Sequence, residues 1–116
     1  MRTKLREGLT AALKDRDRVA ASAIRSALAA IDNAEAVPAD PAPVSTAGNE
    51  HVAGAAIGLG AAEAERRHLT EGDIRSIVAA EVRDRTDTAA EYERHGRDDA
   101  AERLRTEAAV LSRYLA

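Results

Sequence analysis

All three prolines of the chain, Pro38, Pro41 and Pro43, fall within one short stretch, and the sequence on either side is free of proline. Proline removes a backbone donor and disfavours helical geometry in the residue before it. Long helices are therefore confined to the two flanks, and both flanks carry helical periodicity. Leu5, Leu9, Ala12 and Leu13 stand at i, i+4, i+7 and i+8, which predicts a first helix over residues 2–14. A second, from about Asp17 to Ala36, places Ala20, Ile24, Ala27, Leu28 and Ile31 on one face. Beyond the prolines, Ile74, Ile77, Val78, Val82, Ala89 and Tyr92 trace a third helix, and Leu104, Ala108, Leu111 and Leu115 a fourth.

The punctuation between these stretches is equally plain. The run KDRDR, Lys14 to Arg18, breaks the first stripe and offers two Asp residues to cap the next helix. Thr70, with Asp73 three residues later, reads as a capping box, with Leu69 and Ile74 placed for a hydrophobic staple. At the far end of the third helix, His95 puts a potential cation near the C-terminal carbonyls. Gly96 suits the left-handed residue that follows, and Asp98 or Asp99 is expected to cap the fourth helix. Short connections join antiparallel neighbours. The expected fold is all-α: two helical hairpins packed as a small four-helix domain with a long flexible central loop at residues 37–62. That loop holds the three prolines and four of the seven glycines, and no Lys or Arg.

With 116 residues the chain builds a single domain and one modest core. It has no Phe, Trp or Cys and only two Tyr, so that core must be made of Ala and aliphatic residues, which suits closely approaching helices. The lack of cysteine excludes disulfides, thiolate metal sites and cysteine nucleophiles. Charged residues follow Met1 at once and no run approaches a membrane span, so a cytoplasmic protein is expected. A formal net charge of −3 without basic blocks does not mark a strong nucleic-acid binder.

Catalytic constellations are hard to find. His51, His68 and His95 are scattered. Glu91 and His95 share a helix face at i, i+4, but a catalytic zinc needs a third protein ligand. The glycines of GAAIGLG, residues 54–60, lack the order and the lysine of a phosphate loop. Ser22, Ser26 and Ser76 have no evident general base. No catalytic residue, cofactor or metal is expected. The arginines around the third helix, Arg83, Arg85 and Arg94, together with Tyr92, form a candidate partner-binding surface. Arg85 is the odd one, because it falls on the apolar stripe. It must be paired there, with Glu81 one turn back as an obvious partner, or must reach out between the hairpins.

The order of these pieces resembles the GatB/YqeY family. The matching features are the KDRDR turn, the IRSAL…NAE run with Arg25, Asn33 and Glu35, and the LTEGDI cap. AEYERHGRDD and the closing Leu-x-x-Tyr-Leu at residues 111–115 complete the series. The family includes small stand-alone YqeY proteins and the C-terminal region of the B subunit of the tRNA-dependent amidotransferase. The resemblance implies an all-α domain related to a part that helps to hold misacylated tRNA. It also implies the family-level description of carbon–nitrogen ligase activity with glutamine as amido donor. Relatives commonly continue into a second, smaller helical domain, which this sequence is expected to lack, and their central loop is shorter. Residues of the glutaminase and carboxylate-activating centres do not occur here.

The expected function is therefore a non-catalytic helical accessory or binding module. Its candidate partner-binding residues are Arg25, Asn33, Arg83, Arg85, Tyr92 and Arg94. The expected partners are another protein or a tRNA-handling complex, with at most weak direct tRNA binding and no membrane or metal. The alternatives are a component that works only within an assembled amidotransferase, or a general interaction scaffold with no nucleic-acid role.

Overall fold

A computed structural model of the chain describes residues 1–36 and 68–116. Their order is α1 (Arg2–Lys14), α2 (Arg18–Ala36), α3 (Glu71–Arg94), α4 (Asp98–Ser112) and a closing 3-10 turn (Arg113–Leu115). Every regular element among the described residues is helical, as the periodicity predicts. The expected flexible loop, with the GAAIGLG run and His51, lies outside the described residues. Residues Met1–Ile31 and Thr70–Ala116 form one unit, and Asp32–Leu69 belong to another.

Both tight corners end their helix in the same way. After α3, Gly96 adopts φ 74°. Its N–H donates to the Glu93 carbonyl at 3.0 Å, and the Arg97 N–H donates to the Tyr92 carbonyl at 2.8 Å. This is the paired bonding of a Schellman ending, which satisfies carbonyls that the helix leaves free. After α1 the same two bonds recur, from Arg16 N–H to the Leu13 carbonyl (3.2 Å) and from Asp17 N–H to the Ala12 carbonyl (2.8 Å). Here the left-handed residue is Arg16, at φ 58°.

The starts of the following helices differ. The Asp17 carboxylate accepts from the Ala20 N–H at 3.0 Å and so caps α2 as expected. At α4 the expectation is corrected: the cap position is Arg97, without a side-chain bond, and Asp98 and Asp99 lie inside the first turn. There they face the exposed N–H groups as charges rather than as a cap. Helix α3 starts on the complete capping box, with Thr70 Oγ1 accepting from Asp73 N–H and Asp73 Oδ2 accepting from Thr70 N–H, each at 3.0 Å.

The two hairpins run antiparallel about these corners. Residues equally far from Gly96 meet across α3 and α4, as Arg85 and Glu107 do. Residues equally far from Arg16 meet across α1 and α2: a Cβ on Gly8 would sit 3.4 Å from Ile24 Cδ1. Among the described residues, eight of the fifteen buried apolar ones are alanine, which lets the helices approach closely, while Leu5, Ile24, Ile31, Val78 and Leu111 supply the bulk. Leu13 departs from its expected place in the α1 stripe and is 49% exposed. At about 100° per residue it lies roughly 80° around the helix from Leu5, off the face that Leu5 and Ala12 define.

One further close approach fixes the end of the chain's helical part. The Tyr114 hydroxyl lies against Gly8, so close that a Cβ there would stand 1.9 Å from it and 3.1 Å from Cζ. Alanine favours a helix over glycine by about 1 kcal/mol, yet here it displaces the tyrosine ring. Gly8→Ala should therefore destabilise the protein, and the same change in a Tyr114→Ala background should stabilise it by about 1 kcal/mol; denaturant melts of the four chains read this sign reversal. At the corners, Gly96→Ala should cost about 1 kcal/mol through strain at positive φ, while Arg16→Gly should add stability of similar size. Thermal melts of both variants check the pair, and equal responses at the two corners would contradict it.

Candidate functional site

The residues singled out on sequence grounds divide into two groups once the helices are in place. Along α3, Arg85 and Tyr92 are seven residues apart and share the inner face with Val78 and Ala89. Arg83 and Arg94 are eleven apart, about three turns, and both are exposed. The four residues therefore do not form one surface.

Arg85 is engaged by contacts within the helices. Its side chain is 12% exposed. Nε donates to Glu107 Oε1 on α4 at 2.9 Å, and Nη1 donates to Glu81 Oε1 at 2.9 Å and to the Glu81 carbonyl at 3.1 Å. The same Glu81 oxygen accepts from Ser26 Oγ on α2 at 3.1 Å. Arg103, largely exposed, reaches the other Glu107 oxygen at 3.5 Å. One largely enclosed arginine thus ties α3 to α4 and, through Glu81 and Ser26, to α2. Among the described residues no buried side-chain N or O lacks a partner.

The electrostatics agree with this role. Burial opposes the charge on Arg85, but its hydrogen bonds to Glu81 and Glu107 and their negative charge outweigh it, so its pKa is raised. A raised value means that its stabilising contribution is complete below the ordinary arginine pKa. It is lost only as pH rises through the still higher folded value. The cation persists through the working range. Glu107 was absent from the expected stripe of α4, although it lies between Leu104 and Leu111 at core spacing and is 7% exposed.

The remaining candidates are placed as follows. Tyr92 is half-buried, with the Arg97 guanidinium 5.5 Å from its ring centroid, so an aromatic face is already occupied by a cation. Arg94 is exposed and paired with Glu91 on its own helix, the carboxylate that shares a helix face with His95. Arg83 is exposed on the outer face of α3. Arg25 is exposed on α2 and lines a groove at the α1–α2 corner together with Arg16 and Arg18, which sequence spacing did not single out. Asn33 is exposed on the last turns of α2, within the other unit. Among the described residues no group of His, Cys, Asp and Glu stands ready to hold a metal, and no helix is long and apolar enough to cross a membrane.

Paired helices, Schellman corners and an internal arginine bridge define a small all-helical domain whose buried charges serve its architecture. A family model described as Yqey-like protein matches residues 51–116, more than half of the chain, and the chain belongs to that family. The matched stretch contains the whole of α3 and α4, and α1 and α2 lie outside it. No curated protein and no solved structure matches the chain.

The contacts separate the arginines by expected cost. Arg85→Ala leaves the buried Glu107 with only the exposed Arg103, 3.5 Å from its other oxygen, and should destabilise the protein by about 3 kcal/mol. Arg94→Ala removes a solvent-exposed pair and should cost less than about 1 kcal/mol. Urea unfolding of the two variants provides the comparison.

Proposed function

We propose that this chain is a non-catalytic helical binding module that acts through a partner. The observation that carries this reading is the division of its polar groups. Those enclosed between helices, Ser26, Glu81, Arg85 and Glu107, are spent on one another. An arginine held by two carboxylates keeps its charge and is a poor acid. Several arginines instead stand on the surface, at the α1–α2 corner and on the outer face of α3.

The resemblance to the amidotransferase B-subunit tail favours a partner among tRNA-handling proteins, with this chain as an accessory to, or a component of, an assembled glutamine-dependent carbon–nitrogen ligase. Co-purification from the native host tests that association. Reproducible recovery of amidotransferase subunits supports it, and their absence from otherwise productive pulldowns moves the reading to a general interaction scaffold.

Direct tRNA recognition fits the surface less well. The net charge is −3, and the two tyrosines are half-buried, Tyr92 beneath Arg97 and Tyr114 against Gly8. Phosphate neutralisation and base stacking both have little to work with. The isolated chain should bind tRNA with dissociation constants of tens of micromolar or weaker near physiological salt, on the order of non-specific binding. Fluorescence anisotropy across a salt series measures this. Sub-micromolar binding that survives physiological salt and is lost on Arg83→Ala would make the outer face of α3 an RNA-reading surface.

A further inference from the structure

Leu13 is the large apolar side chain that the described surface leaves in the open, 49% exposed. It lies at the α1–α2 corner in a groove whose floor is made by Ala12 and Ala21 and whose charged rim is Arg16, Arg18 and Arg25. Four arginines elsewhere, Arg85, Arg94, Arg103 and Arg105, each pair with a glutamate. The three at the groove make no ion pair among the described residues. The acid that shares the groove, Asp17, has an oxygen committed to the Ala20 N–H as the α2 cap. The corner itself is fixed by its two Schellman bonds, so Arg16 projects from a backbone that is already ordered.

We propose that this groove docks an acidic segment of a partner protein, with an aliphatic side chain seated on Leu13 and flanking carboxylates meeting Arg16, Arg18 and Arg25. The proposal rests on the binding-module reading and names the surface and the chemistry of the partner. Charge decides the occupant. Three guanidiniums without an ion pair among the described residues, on a chain of net charge −3, make a local positive field that selects carboxylates and steers their approach. Arginine suits this task, because its planar fork grips a carboxylate with two parallel bonds. The exposed leucine selects a peptide over a polyphosphate: covering it removes apolar surface from water, which a phosphate backbone does not do. The groove lining also holds no aromatic ring on which a base would stack.

The test uses the full chain as bait for a phage-displayed library of random 16-residue peptides, with a single-stranded RNA oligonucleotide titrated in parallel. Selected peptides should be enriched in Asp and Glu around one or two aliphatic residues. Their affinity should fall at least tenfold on Leu13→Ser, and likewise on Arg16→Ala with Arg25→Ala. Both variants change exposed side chains, and circular dichroism and a thermal melt check that each is folded. Amide shifts on adding a selected peptide should cluster in residues 12–25. Peptides that are neutral or basic, or whose shifts fall on α3 and α4, would overturn the groove while leaving a binding module intact. RNA binding at the corner with no peptide enrichment would overturn the acidic partner. Failure of both peptide and RNA to bind anywhere would overturn the groove and the binding-module reading together.

Discussion

Arg85 is the contact on which the rest of the arrangement depends. Its guanidinium meets Glu107 from α4 and Glu81 from its own helix, and Glu81 in turn takes a hydrogen bond from Ser26 on α2. Buried ion pairs give up hydration, so such a bridge adds little stability compared with well-packed apolar residues. Its value here is positional. More than half of the buried apolar residues among those described are alanine, and a surface of small, similar side chains does little to distinguish one helix register from the next. A slide of one turn between α3 and α4 would keep much of the alanine contact but would strand Arg85 and Glu107 in the interior without each other. That penalty selects the observed register.

The corners work with the bridge. Each closes its helix with the same pair of backbone bonds, and each turns the chain within three residues, Asp15–Asp17 and His95–Arg97. The bridging residues Arg85 and Glu107 stand at equal distances from Gly96, so the turn sets the register that the ion pair then enforces. The chain meets the need for a left-handed residue once with glycine and once with arginine. At the second of these corners the strained residue carries one of the guanidiniums that rim the groove.

Much of this was legible in the sequence, for reasons that can be stated residue by residue. Proline placement and apolar spacing located the helices, because both act within one chain segment. The capping box at Thr70 and the glycine corner were equally plain, since each depends on residues no more than a few positions apart. Arg85 stood out as a charge on an apolar stripe, and its partner Glu81 followed from one-turn spacing. Glu107 was missed because a glutamate amid surface charges looks solvated until α4 is laid against α3. Reflecting Arg85 about Gly96 would have found it. Arg85 was grouped with Arg83 and Arg94 although helix geometry alone sets it on the opposite side of α3 from both, at about 100° per residue. Asp98 or Asp99 reads as the cap of α4 because both are good capping residues, yet Arg97 takes that place without a side-chain bond. The groove at Leu13 was hidden for the opposite reason: its leucine fitted the stripe of α1 closely enough to be counted as core.

If the arginine bridge couples α2 to the α3–α4 hairpin, Ser26 and Arg85 must report on each other through Glu81, which touches both. A double-mutant cycle of Ser26→Ala and Arg85→Met, followed by urea unfolding, measures that coupling directly. The account predicts an interaction energy of about 0.5–1 kcal/mol or more, because the serine's acceptor is reorganised once the arginine is gone. Effects that add within about 0.3 kcal/mol would contradict it, and would make the contact between α2 and α3 an independent surface bond.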